Sequence, residues 1–564
     1  MPQALGSIRP YLFLLVLCLG LYLPGLFTLP PIDRDEALFA QASRQMLEDD
    51  DFVRIQFQER SRHKKPVGIY WLQALAVKLT GTLDKKKIWP YRLPSQLGAT
   101  LAVFSCLYFG KRLFNGRTAF LAAGLLASSL LLVVEAHQAT TDAMLLAFIM
   151  IAQGALALVY ISSQRQKTVS AGVAMAFWIA QGVGILLKGP MITLVSVLTI
   201  GCLVAADRKI RWLWLLRPIW GFPLVLLIVS PWMISIYQAT GGAFFADAVG
   251  SDLLPKIFSG QESHGAPPGY YIFLLMLTFW PGSLFVWPAL WAARKQRQTW
   301  HIRFCLAWII PNWILFELLP TKLPHYVMPT YPAIALLTAW AVERVVTGEI
   351  ALMKSKLARV GYWAWCIAAL FLVGTIVGGT RYLTGGFPLP LILPLVTVGF
   401  LVITLRRHII EHDLRKILIS AMVGTVFVVG PIFQYVLPGI EPLWLSRTIA
   451  ETVEEISQRS PAKPVRVAAV GYHEPSLVFL CGTETELTSP EGAAVFLAEP
   501  APNAKSPHII AVVTDDHMVA FNKNMEQLNH QVRQERIIRG FNYTKGRWET
   551  LHLFTSKSLF MNSR

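Results

Sequence analysis

The chain has 564 residues, of which 54% are hydrophobic and only 15% charged, with a formal net charge of +17. A soluble protein of this length carries nearer a quarter charged residues, which excludes a large soluble enzyme. The basic excess would suit a nucleic-acid partner, but its distribution along the chain excludes that reading too.

Arg9 precedes an apolar run over residues 11–27, and Thr28-Leu29-Pro30-Pro31 follows it without a small-x-small cleavage pattern, so a retained first helix is expected. Residues 30–89 form a long polar-to-amphipathic segment. Further apolar spans follow near 90–110, 118–135, 141–161, 170–187, 189–206, 212–237, 269–292, 304–319, 325–342, 358–380, 386–405 and 417–437. They predict a polytopic α-helical membrane protein with about thirteen crossings.

Lys and Arg concentrate in alternate short loops: Lys111/Arg112/Arg117, Arg165/Lys167, Arg208/Lys209/Arg211, Arg294/Lys295/Arg297/Arg303, Arg344/Lys354/Lys356 and Arg406/Arg407/Arg415/Lys416. The opposite loops hold little more than Lys188, Lys322 and Arg381. The positive-inside rule places the first set in the cytoplasm. Residues 30–89, 238–268 and everything after about 438 then face outward, the periplasmic side of a bacterial inner membrane. Much of the +17 is therefore a topology signal, and no nucleic-acid partner is expected. The junction Lys188-Gly189-Pro190 is read as joining two spans, because one helix over both would be about 54 Å long against a core of about 30 Å.

After residue 438 the texture changes. Residues 465–470 and 508–513 read as short buried strands, residues 474–480, 491–497 and 517–532 as helices, and 534–555 as a hairpin broken at Thr544-Lys545-Gly546-Arg547. The expected division is a membrane domain over 1–437 and a small outward α/β domain over 438–564. No GxGxxG or P-loop supports nucleotide binding. Five cysteines lie in apolar runs and Cys481 stands alone in the tail, so neither a disulfide framework nor metal-ligand spacing is read.

The chemistry-bearing residues collect on the outward side. Asp33-Arg34-Asp35-Glu36 opens an amphipathic run, and Arg60-Ser61-Arg62-His63-Lys64-Lys65-Pro66 follows in the same loop. Long loops escape the charge rule, which is the bland explanation; the functional one is an anion site at the membrane surface. Arg92, Asp142, Lys188, Lys322, His325 and Tyr326 sit at outward helix ends. A single lysine there is often an anchor that snorkels. Several ionisable groups on one side instead imply one polar cavity. Carboxylates beside cations suit transfer of a group from a lipid phosphate, with a carboxylate taking the acceptor proton. A transporter could use similar residues, although no internal repeat is evident.

Arg34-Asp35-Glu36-Ala37-Leu38-Phe39-Ala40 with Ser43-Arg44-Gln45-Met46-Leu47, then Lys65-Pro66, Tyr70-Trp71, Arg92-Leu93-Pro94, Thr141-Asp142, Lys188-Gly189-Pro190 and Lys322-Leu323-Pro324-His325-Tyr326 occur in an order that resembles the protein O-mannosyltransferase-like superfamily. The likeness is nearest to its bacterial lipid A aminoarabinose transferase branch and covers the whole membrane part. It implies a GT-C fold and an inverting transfer of sugar from a polyprenyl (undecaprenyl) phosphate carrier to an envelope acceptor such as lipid A, another glycan or a protein. It implies that Asp35 is the principal catalytic carboxylate, with Glu36 in the same site and Asp142 in support. Lys65 is expected to hold the donor phosphate, with Arg92, Lys188, Lys322, His325 and Tyr326 around it. The position before Lys65 is Lys64, where aminoarabinose transferases tend to have glutamate, so their sugar and acceptor preference does not carry over. Lys256 is expected as a second phosphate ligand and His264 as a rim residue. No cofactor is named; a divalent metal is left open, and the lipid-linked sugar is a substrate.

Overall fold

The computed structural model describes residues 8–83, 86–253, 255, 266–349, 356–411, 414–459, 465–498 and 508–556. Lys256 and His264 lie outside them.

Each apolar span read from the sequence contains helix. The first are α1 (Arg9–Tyr22), α2 (Asp35–Glu48), α3 (Gly68–Thr80), α4 (Trp89–Leu113), α5 (Gly116–Ser128), α6 (Leu130–Ala136), α7 (Asp142–Gln164), α8 (Ala171–Lys188) and α9 (Met191–Asp207). Among the described residues, six helices are long and apolar enough to cross a membrane, or seven if the bent pair α5 and α6 is one span. The protein is a multi-pass membrane protein.

Two expected single spans are broken. Between α5 and α6 the extended Ser129 turns the chain by 59°. The span at 269–292 divides into Tyr270–Thr278 and Val286–Lys295 around Pro281-Gly282. The junction at 188–190 does separate two helices: Gly189, at φ 61°, ends α8.

Helix α4 packs closely on α7 at Gly98, where a Cβ would meet the Met144 Cα at 2.5 Å. Small residues permit such backbone approach where helix association depends on packing rather than on expelling water. Helices α2 and α3 are not spans. They lie at the membrane part's edge, where Phe39, Val67, Ile69 and Tyr70 share a core with Leu187, Trp232 and Phe244.

The tail carries a five-stranded mixed sheet in the order β4-β3-β5-β7-β6, formed by β3 (Val465–Val470), β4 (Glu486–Thr488), β5 (His508–Thr514), β6 (Val532–Asn542) and β7 (Arg547–Ser556). A two-stranded pair, β1 (Gln56–Phe57) and β2 (Arg60–Ser61), lies in the first loop. Strand β4 has no sequence expectation, being only three residues long. The helix expected over 517–532 spans only Met518–Gln527, and Asn529 at φ 50° redirects the chain into β6.

The tail is seated directly on α2. Arg44 Nη1 donates to the Phe479 carbonyl (3.1 Å), Gln41 Nε2 to Thr483 Oγ1 (2.8 Å), and Gln58 Nε2 to the Thr483 and Thr485 carbonyls. The α/β unit and the first loop thus occupy the same face of the helical part.

Candidate functional site

The site is built around the turn that enters α2. Its frame is the pair Glu36–Arg92, and both side chains are fully buried. Glu36 Oε1 accepts from Arg92 Nε (2.8 Å) and from the Ala139 N–H (2.8 Å). Oε2 accepts from Arg92 Nη2 (2.8 Å) and the Ile32 N–H (2.8 Å). Arg92 also donates to the Leu29 and Pro30 carbonyls at 2.7 and 2.8 Å. One bidentate pair therefore ties together the chain before α2, the start of α4 and the segment between α6 and α7. Four acceptor contacts occupy Glu36, and Arg92 has no exposed surface to offer a phosphate.

Asp35, by contrast, is exposed at the first turn of α2. Arg34, at φ 66°, turns the chain into the helix, and its Nη2 donates to the Thr544 carbonyl (2.8 Å). Behind it Asp33 is half-buried against the tail. Its N–H donates to Tyr543 Oη (2.6 Å), and its Oδ1 accepts from the Ser476 N–H (3.0 Å). Burial, aided by the nearby Glu474 carboxylate, pushes the Asp33 carboxyl up to about 7. Tyr70 lies near Asp35: burial raises its phenol, the adjacent Arg62 guanidinium opposes the rise, and the Asp35 carboxylate adds to it. Arg62 Nε donates to Tyr70 Oη at 3.3 Å.

A second set of groups meets at the ends of α6, α7 and α8. Lys188 Nζ donates to Asp142 Oδ1 (2.5 Å), and Thr141 Oγ1 donates to Asp142 Oδ2 (3.2 Å). His325 Nδ1 is 3.5 Å from Glu135 Oε1, while Thr140 Oγ1 donates to Glu135 Oε2 (3.1 Å). Asp142, Lys188, His325 and Tyr326 line a cavity of about 280 Å³ together with Lys64 and Lys65. The rest of its wall is apolar and includes Met233, Phe244, Phe245, Ala248, Phe316 and Leu319. Phe244–Val249 come from the 238–268 segment, whose Asp247 also reaches back to His63 (2.8 Å). Cations against a greasy wall form a recess for an anionic head on an apolar chain.

Of the residues singled out from the sequence, Lys65, Asp142, Lys188, His325 and Tyr326 are brought together at this cavity. Asp35, Glu36 and Arg92 are not among its lining residues, and neither is Lys322, whose buried Nζ donates to the Leu319 carbonyl (2.8 Å). Three participants escaped the sequence reading: Glu135, and Ser476 and Tyr543 from the tail. Glu135 had a signal, being a carboxylate inside an apolar run. The tail residues had none, because only the folded chain brings positions about five hundred residues apart into contact.

Residues 64–234 match the family described as dolichyl-phosphate-mannose-protein mannosyltransferase. The undecaprenyl phosphate-alpha-4-amino-4-deoxy-L-arabinose arabinosyl transferase of Erwinia tasmaniensis is 26% identical over 348 residues, covering 60% of each chain. The Pseudomonas aeruginosa protein of that name is 25% identical over 440 residues, covering 70% of this chain and 77% of the relative. The chain spans about three fifths of the length of the Erwinia relative it matches. Among solved structures, ArnT from Cupriavidus metallidurans bound to undecaprenyl phosphate superimposes with a TM-score of 0.71 at 18% identity, covering 97% of this chain and 98% of that one. The Archaeoglobus fulgidus oligosaccharyltransferase in its apo form gives a TM-score of 0.52 at 12% identity, over 93% and 69%. The chain therefore shares the fold of ArnT end to end and resembles the mannosyltransferase-like superfamily.

Proposed function

We propose that this chain is an inverting GT-C glycosyltransferase of the bacterial inner membrane, moving a sugar from undecaprenyl phosphate to an envelope acceptor on the periplasmic face. The observation that carries this reading is the cavity in which Lys65, Lys188, His325 and Tyr326 face apolar walls. It suits a phosphate attached to a long isoprenoid. The names of the relatives and the ArnT fold supply the donor class.

Asp35 is the general base in this reading. It takes the proton from an acceptor hydroxyl as that oxygen attacks the anomeric carbon, on the side opposite the phosphate. The C–O bond to phosphate breaks, and Lys65 with its neighbouring cations holds the departing charge. An acceptor that is itself a phosphate needs no deprotonation, and Asp35 then orients it. Glu36 and Arg92 hold the Asp35 turn in place; Asp142 positions Lys188. Lys256 as a second phosphate ligand and His264 as a rim residue remain part of this reading. The membrane part over 1–437 makes about thirteen crossings, and 438–564 forms the periplasmic domain.

A protein acceptor is the second reading, favoured by the match of residues 64–234 to protein mannosyltransferases. Mass spectrometry of envelope glycolipids and of secreted glycoproteins, with and without the gene, separates the two. Loss of one sugar from a glycolipid is expected; loss only from proteins would select the second, and no change in either fraction would overturn both.

A further inference from the structure

We propose that Glu135, Asp142 and His325 form a divalent-metal site at the edge of the cavity, whose lining includes Asp142 and His325. One ligand atom from each, two carboxylate oxygens and a ring nitrogen, lie within 4.8 Å of one another. They come from three separate elements: the last turn of α6, the first residue of α7, and the 3-10 turn Pro324–Thr330.

The 3.5 Å between His325 Nδ1 and Glu135 Oε1 is long for a charge-assisted hydrogen bond, which falls near about 2.8 Å. It matches two ligands on one ion, since tetrahedral bonds of about 2.0–2.1 Å set ligand atoms roughly 3.4 Å apart. The full set spans up to 4.8 Å, wider than one tetrahedral shell, so an ion would draw the three side chains inward. The outer partners are already present. Thr140 Oγ1 fixes the far oxygen of Glu135, while Thr141 Oγ1 and Lys188 Nζ fix Asp142.

The charges around the cluster leave it a role for an ion: Lys188 pairs directly with Asp142 and His325 stands beside Glu135, while Lys64 and Lys65 stand elsewhere in the cavity wall. A divalent ion offsets the second carboxylate. Lys188 keeps one Asp142 oxygen, so that carboxylate bridges lysine and ion. One nitrogen and two carboxylates suit zinc or manganese better than magnesium or calcium, which favour all-oxygen shells. Three protein ligands leave a coordination position open, as in sites that bind a substrate. That a donor phosphate fills this position rests on the function proposed above; the affinity for metal does not.

The test uses the purified full-length protein, stripped with chelator and then dialysed against zinc and, separately, manganese. Bound metal is counted by mass spectrometry and affinity by calorimetry. The expected result is about one equivalent of zinc or manganese per wild-type chain, and at least about tenfold weaker binding in both Glu135→Gln and His325→Asn. Cobalt substitution adds a readout of folded protein: visible ligand-field bands in the wild type that are lost in His325→Asn, whose monodispersity is checked alongside. A wild type that binds neither metal at one saturable site, or monodisperse variants that bind as it does, would overturn the proposal. Chains that hold metal yet transfer no sugar keep the site and defeat the reaction. Chains that transfer sugar without any metal uptake keep the reaction and defeat the site.

Discussion

At the scale of single residues, two adjacent carboxylates in the same motif receive opposite environments. Glu36 is sealed by four hydrogen bonds, whereas Asp35 stays exposed at the helix start. Their substitutions should therefore fail differently. Asp35→Asn is nearly isosteric and should keep fold and donor binding while turnover drops about 10²-fold or more; near-normal turnover in purified Asp35→Asn would remove it as the base. Arg92→Ala strips the partner from a buried carboxylate, which costs about 3–5 kcal/mol. Thermal unfolding should expose that loss, whereas a donor-binding defect in a fully stable Arg92→Ala protein would return Arg92 to the phosphate site. Lys65→Ala should weaken donor binding by about 1.5–3 kcal/mol, the scale of a charged hydrogen bond, and unchanged affinity in a direct binding assay would take it out of the cavity's function.

At the scale of elements, the tail grips the turn that presents Asp35. Tyr543, Ser476 and Thr544 hold Asp33 and Arg34, and Phe479 and Thr483 hold the body of α2. Asp33 makes this contact pH-dependent. Its carboxyl stands near 7 in the folded chain against an ordinary 3.8, so the folded state retains a proton that the unfolded state has lost between those values. The stability from this contact is fully present below about pH 4 and is lost as pH rises through about 7. Hydrogen exchange over residues 540–546 should therefore become faster between about pH 4 and 7 in wild type, beyond the intrinsic rate, and Asp33→Asn should flatten the trend. An equal slope in both proteins would place the titration elsewhere.

At the scale of the molecule, the topology makes its own prediction. Alkaline phosphatase fused after residue 445 should be active and fused after Arg211 inactive, as the basic loops require; the reverse pair would invert the map. The helices themselves were legible because a bilayer imposes a signal readable in one dimension: long apolar runs, punctuated by charges that cannot cross. The strands of the tail other than β4 were legible through their length and composition, and the ordered motifs offered Asp35, Asp142 and Lys65 by resemblance, of which the folded chain brings Asp142 and Lys65 to one cavity. Other features follow only from packing. The pairing of Glu36 with Arg92, the meeting of Glu135 with His325, and the clamp from Tyr543 to Asp33 join residues 56, 190 and 510 positions apart. Hydropathy records whether a charge is tolerated at a position but carries nothing about its partner. A buried charge is stable only with a counter-group within a few ångströms, and the folded chain alone decides which group that is.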